Sequence, residues 1–192
     1  MVQLIVDQLL AYGIRKVVVS PGSRNAPFSI AFDEHPEIET FVVHDERSAG
    51  FIALGMAQEL GETIALCCTS GSACLNYYPA VSEAYYRSIP LLVLTADRPA
   101  AWINHGDGQT IVQRDVYKNH ILGSLEMDED LFEQKSIEQH QTELASLLSV
   151  TTSTWKGPIH LNVGLNEPLY QTVEKTVDYG KRLPEEQAVK RI

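Results

Sequence analysis

The sequence predicts an open α/β domain with a doubly wound, mostly parallel sheet and helices on both faces, and three observations lead there. Its apolar runs are short and almost free of polar residues, as in KVVVS at 16–20, TIALCCT at 63–69, PLLVLTA at 90–96 and PIHLNV at 158–163. Such runs mark strands buried on both faces. Between them lie stretches with a helical apolar period, so that β and α segments alternate. Several runs pass directly into turn residues that open the next helix, which is how repeated βα units read.

The elements follow in order. Leu4, Ile5, Leu9 and Leu10 mark a first helix that ends at Gly13, and residues 16–20 form the first strand. Pro21-Gly22-Ser23-Arg24-Asn25 is a turn, and 26–34 is helical. Residues 38–43 are expected as a buried strand. The next helix opens at Asp45, a good N-cap, and stops at Gly61, with Ala49, Ile52, Ala53, Met56 and Leu60 on one face. The strand at 63–69 runs into the tight turn Ser70-Gly71-Ser72, and a helix over 73–87 is expected to kink or restart at Pro79. The strand at 90–96 leads into a long polar stretch, 97–119, of the kind that often carries function. Residues 124–130 read as acidic and exposed, 131–148 as a helix and 158–163 as the last core strand. The domain is expected to span 1–175, with 176–192 as a charged linker or tail toward a further domain.

Composition bounds the function. The 192 residues are 44% hydrophobic and 21% charged, enough for one domain with a sizeable core. The net charge of -10 argues against a nucleic-acid partner, which needs a basic surface. No apolar run approaches the roughly 18 residues of a membrane span, and Met1-Val2-Gln3-Leu4 lacks the basic start of a signal peptide. Cys67, Cys68 and Cys74 make no C-x-x-C pair and read as small buried hydrophobes in a reducing cytoplasm. The six histidines show no metal-ligand spacing.

In an open parallel sheet, ligands bind beyond the carboxyl ends of the strands. Four unusual segments fall at such ends: Ser20-Pro21-Gly22-Ser23-Arg24, His44-Asp45-Glu46-Arg47, Thr69-Ser70-Gly71-Ser72 and Thr95-Ala96-Asp97-Arg98-Pro99. Two are Gly-Ser turns feeding helices, where free N–H groups and hydroxyls suit an anion. Arg24 and Arg98 add cations that can grip a carboxylate or phosphate bidentately, although a surface ion pair, for instance with Asp97, would explain them as well. Glu46, at the start of its helix, is the candidate acid. An acidic residue there also simply complements the helix dipole.

Taken together, SPGSRNAPF, HDERSAGFIALGMA, TSGSACLNYYPAVSEA, TADRP and GQTIVQ resemble, in this order, the N-terminal pyrimidine-binding domain of the MenD family. These are the thiamine-diphosphate-dependent 2-succinyl-5-enolpyruvyl-6-hydroxy-3-cyclohexene-1-carboxylate synthases of menaquinone biosynthesis. The resemblance runs from about Gln3 to about Tyr170. It implies that Glu46 is the cofactor-activating glutamate, a carboxyl that hydrogen-bonds a ring nitrogen of the aminopyrimidine, and that Pro21, Gly22, Ser70 and Gly71 also line the cofactor. It implies that Ser23, Arg24, Arg98 and Gln109 meet substrate, with Asn104 and Gln113 as further candidates. The transferase reaction implied is decarboxylation of 2-oxoglutarate and addition of the succinyl-semialdehyde unit to isochorismate, in a cytoplasmic homodimer or tetramer. Each pyrimidine domain would face the diphosphate-binding domain of a partner subunit.

In this superfamily a GDG motif, followed by a spaced Asn, holds the diphosphate and Mg2+ or Mn2+. Gly106-Asp107-Gly108 spells GDG, but it follows no apolar strand directly and no Asn lies between Asn119 and Asn162. The metal site is therefore expected in a domain outside this chain, and the chain alone is expected to be inactive. Two other readings compete. In an acetolactate-synthase relative Glu46 would keep its role while Arg24 and Arg98 lost theirs. In a non-catalytic assembly module the small-residue stripe Ala49, Ala53, Ala57 would be an interface, though a place in the core accounts for it equally.

Overall fold

The computed structural model describes residues 1–169. Six strands form one parallel sheet in the order β2-β1-β3-β4-β6-β5. They are β1 (Lys16–Val19), β2 (Glu39–Val42), β3 (Ile64–Cys68), β4 (Leu91–Asp97), β5 (Ser124–Asp128) and β6 (Ile159–Gly164). The helices are α1 (Val2–Ala11), α2 (Ala26–Glu34), α3 (Glu46–Leu60), α4 (Ser72–Asn76), α5 (Tyr78–Tyr86), α6 (Glu129–Phe132) and α7 (Ile137–Thr152). The chain steps outward from β1 to β2, then returns to build β3 and β4 on the other side. The direction of winding thus reverses between β1 and β3, which opens a crevice at their carboxyl ends.

Alternation along the central strands builds two cores. Val17, Val19, Ala65, Cys67, Leu92, Leu94, Leu161 and Val163 point to the side covered by α1, α2 and α7, where Leu9, Phe28, Phe32, Leu144 and Leu148 meet them. Val18, Ile64, Leu66, Cys68, Leu91 and Val93 point to the other side, against Ala49, Ala53, Leu54, Ala57, Tyr77 and Val81 of α3 and its neighbours. The stripe Ala49, Ala53, Ala57 is therefore buried core and not an interface.

Local chemistry accounts for most boundaries. Asp45 caps α3 by accepting from the backbone N–H groups of Arg47 and Ser48, and Gly61 ends it in a left-handed conformation with φ 68°. The helix expected over 73–87 restarts: α4 ends at Asn76, Tyr77 intervenes, and Pro79 lies in the first turn of α5, where its missing N–H costs nothing. Ser136 and Gln139 form a capping box that starts α7 and separates it from the short α6, so the helix expected over 131–148 is two.

Two expectations need correction. The run at 38–43 is not a buried strand: β2 is an edge strand, with Glu39 exposed and Val42 59% exposed. The acidic stretch at 124–130 is not exposed throughout: Ser124–Asp128 is β5, paired in parallel with β6, and Met127 is buried. Leu125 and Met127 alternate with Ser124, Glu126 and Asp128, a period of two that the charges obscure. The proposed tail at 176–192 lies outside the described residues.

Candidate functional site

The four segments singled out above lie at the carboxyl ends of β1, β2, β3 and β4, which are adjacent in the sheet and so present one rim. The crevice between β1 and β3 lies within it.

Close approach across this crevice explains its glycines. A Cβ on Gly22 would stand 2.5 Å from Thr69 Cβ, so the first turn packs directly on the third. Gly71 has φ +83°, and a Cβ there would meet the Gln109 backbone at 2.8 Å. The loop after β4 thus folds back over the turn after β3. The N–H groups expected to be free for an anion are partly committed: Arg24 N–H donates to Thr69 Oγ1 (3.2 Å) and Gly71 N–H to Gln113 Oε1 (2.8 Å).

Glu46 is the first residue of α3, half-buried, and its carboxylate accepts no hydrogen bond from a described residue. The Cys68 thiol is pushed up by burial, by Cys74 and Cys67, and then by the Glu46 charge, and the buried Tyr77 phenol also feels Glu46. Tyr77 itself donates to Ser20 Oγ and Cys67 O, both at 3.0 Å, and so ties α5 to the ends of β1 and β3.

Arg24 is buried, only 3% exposed, and is not paired with Asp97. Its Nη1 donates to Leu165 O and its Nη2 to Glu167 Oε1, both at 2.9 Å. Arg98 Nη1 approaches the same Glu167 oxygen at 3.7 Å, and both guanidinium carbons lie over Trp102, at 5.8 and 5.6 Å from its ring centre. Burial, and then Arg98, lower the Arg24 pKa, while Glu167 works against them. Asp97 instead accepts from Asn162 Nδ2 (2.9 Å) and from the Arg98 backbone N–H (2.8 Å).

Behind the rim lies a polar cluster that joins Thr95, Asp97 and the candidate Gln113 to Asn162 and Glu126, two residues the sequence pattern does not single out. Asn162 Oδ1 accepts from Thr95 Oγ1 (2.6 Å) and Gln113 Nε2 (2.8 Å), while its Nδ2 donates to Asp97 Oδ2 and Glu126 Oε2 (2.8 Å). All four bonds of the amide are used. Through Gln113 this cluster reaches Gly71, and through Asp97 it reaches Arg98, so Gln113 holds the loops in place from a fully buried position. Burial raises the Asp97 and Glu126 pKa values, Asn162 opposing in both. His160 Nε2 bonds Thr95 Oγ1 at 2.8 Å, and burial holds its pKa down at about 3, so it is a neutral core residue. The available signal was a polar Asn and His within an otherwise apolar strand.

Ser23, Pro21, Asn104 and Gln109 are exposed and Ser70 is buried. Gln109 and Asn104 have positive φ, 55° and 67°. A concavity of about 500 Å3, lined by Arg98, Glu126, Lys135 and His140 among others, opens on the β4-β6-β5 side. Glu46 is not among the residues that line it.

A sequence profile described as "Thiamine pyrophosphate enzyme, N-terminal TPP binding domain" matches residues 1–118. The chain belongs to this family. It is 48% identical to the 2-succinyl-5-enolpyruvyl-6-hydroxy-3-cyclohexene-1-carboxylate synthase of Christiangramia forsetii, over 88% of this chain and 32% of that protein. It is 46% identical to the Flavobacterium psychrophilum synthase of the same name, over 90% of this chain and 30% of that protein, and 44% identical to the one from Porphyromonas gingivalis, over 89% and 30%. The chain thus spans about a third of the length of these relatives. The geometry suits the pyrimidine end of the cofactor: an uncommitted carboxyl at the rim and a turn packed so closely on its neighbour that Gly22 has no room for a side chain. Among the described residues no helix is long and apolar enough to cross a membrane.

Proposed function

We propose that this chain is the pyrimidine-binding part of a thiamine-diphosphate-dependent transferase that decarboxylates 2-oxoglutarate and adds the resulting four-carbon unit to isochorismate in menaquinone biosynthesis. Family membership and the names of its relatives support the reading. The observation that carries it is Glu46, half-buried at the crevice rim with no hydrogen bond to a described residue. When bound, thiamine diphosphate supplies the nucleophilic carbon and the electron sink. Glu46 holds a proton at a pyrimidine ring nitrogen, and the turns at Pro21-Gly22 and Ser70-Gly71 shape the wall beside it. Arg24 and Arg98 answer the negative charge of both substrates, with Ser23 and Gln109 at the exposed margin. The diphosphate and its Mg2+ or Mn2+ are held by another domain, contributed by a partner subunit of a homo-oligomer. Three free, buried thiols are in keeping with a cytoplasmic protein.

Glu46→Gln in the complete protein tests this. Proton exchange at the thiazolium carbon is expected to slow by about 100- to 10,000-fold, the range of a lost acid–base group, while cofactor binding and folding persist. An unchanged exchange rate would overturn the assignment.

A further inference from the structure

Arg24 and Arg98 come from loops after different strands, yet both turn toward one oxygen of Glu167, which lies just past the end of β6. The match is incomplete. Arg24 is within hydrogen-bond distance at 2.9 Å, but Arg98 Nη1 remains at 3.7 Å and its buried Nε has no partner among the described residues. Arg98 Nη2 makes a long contact of 3.4 Å to Gly108 O. A carboxylate that can present both of its oxygens would satisfy two guanidinium groups better than one tethered by the chain at a single oxygen. Exposure divides the trio: Arg24 is 3% exposed and fixed by Leu165 O, whereas the Glu167 side chain is 56% exposed. The carboxylate is thus the member that can leave while the cations stay.

We propose that Glu167 is a resident carboxylate occupying the anion subsite of Arg24 and Arg98, and that a substrate carboxylate binds there by displacing it. This rests on the reading above that these arginines meet substrate. The displacement exchanges one carboxylate for another, so the buried guanidinium of Arg24 is never left without a counter-charge, which would be costly. It also makes the subsite selective: a neutral ligand cannot dislodge Glu167, and a carboxylate must outcompete it. The apparent affinity is then the intrinsic affinity reduced by the fraction of time the subsite is free.

Trp102, against both guanidinium groups, is the reporter, and replacing the exposed Trp155 with Phe leaves it the sole tryptophan of the chain. In that background 2-oxoglutarate is titrated against Trp102 fluorescence in the 192-residue chain, with and without Glu167→Gln. If Glu167 occupies the subsite about nine tenths of the time, the substitution tightens the apparent dissociation constant about tenfold. Arg98→Ala is expected to abolish the response. Unchanged or weaker binding by Glu167→Gln, with the response still lost in Arg98→Ala, overturns the proposal alone and makes Glu167 a residue that positions the arginines. No saturable response in either protein, or one that survives Arg98→Ala, overturns the subsite itself. Glu167→Ala, which removes the side chain's polar group, must move in the same direction as Glu167→Gln.

Discussion

Replacing Asn162 with Asp changes one NH2 group to oxygen and leaves no cavity, yet it strikes the cluster that supports the rim. The two bonds lost are those from Nδ2 to Asp97 Oδ2 and Glu126 Oε2, at 2.9 and 2.8 Å. A hydrogen bond to a charged group contributes about 1.5–3 kcal/mol, so the pair is worth about 3–6 kcal/mol. That is a large share of the about 5–15 kcal/mol that holds a domain together. The loss must also depend on pH. Burial already raises the Asp97 and Glu126 pKa values above their ordinary 3.8 and 4.5, and a third carboxyl between them raises all three further. The folded variant then binds more protons than the unfolded chain, so its stability falls as pH rises through the raised values and recovers as pH falls back toward the ordinary carboxylate range. Urea unfolding followed by circular dichroism at pH 8 and pH 5 measures both effects. The deficit relative to the parent protein should be large at pH 8 and smaller at pH 5. A deficit equal at both values, or an unchanged midpoint, would refute the idea that the amide bridges this carboxyl pair.

Other expected outcomes test the rim and its supports. Gly22→Ala should cost about 1–3 kcal/mol, a typical overpacking penalty, because its Cβ would stand 2.5 Å from Thr69 Cβ. A urea midpoint equal to that of the parent would mean the two turns do not approach so closely. Asp45→Asn should lower the melting temperature above the ordinary carboxylate pKa of 3.8. The Arg47 side chain, with the Arg47 and Ser48 backbone N–H groups, holds the Asp45 pKa at about 2. Stability contributed by its charge is present above 3.8 and is lost as pH falls through 2, so the difference between the two proteins should shrink over that range. A constant difference would show that the charge of Asp45 plays no part in the cap.

How much of this was legible beforehand depends on the range of the interaction. The N-cap Asp45, the stop at Gly61 and the restart near Pro79 are short-range stereochemistry, so residues within one or two turns decide them. The alternation of apolar strands with amphipathic helices indicated a parallel doubly wound sheet, because only strands covered on both faces tolerate such runs. The same logic failed at the edges. In β2 the polar Glu39 and Thr40 mark an edge strand, but the apolar Phe41 and Val42 beside them read as a central one, and the acidic residues of β5 conceal an inward Leu125 and Met127. At the site, Glu46, Arg24 and Arg98 were visible as residue types at strand ends, and the shared rim followed from the parallel order.

By itself the sequence determined the fold class, the family and the segments that build the rim, since those depend on periodicity, caps and motifs written in consecutive residues. Tertiary structure alone decided which groups remain available to a ligand. The partner of Arg24 is Glu167, 143 residues away and not Asp97, and the Gly71 N–H is taken by a glutamine 42 residues distant. Hydrogen bonds and charges act through space over a few ångströms, whatever the separation along the chain, so only the folded arrangement of β1, β3, β4 and β6 could assign them.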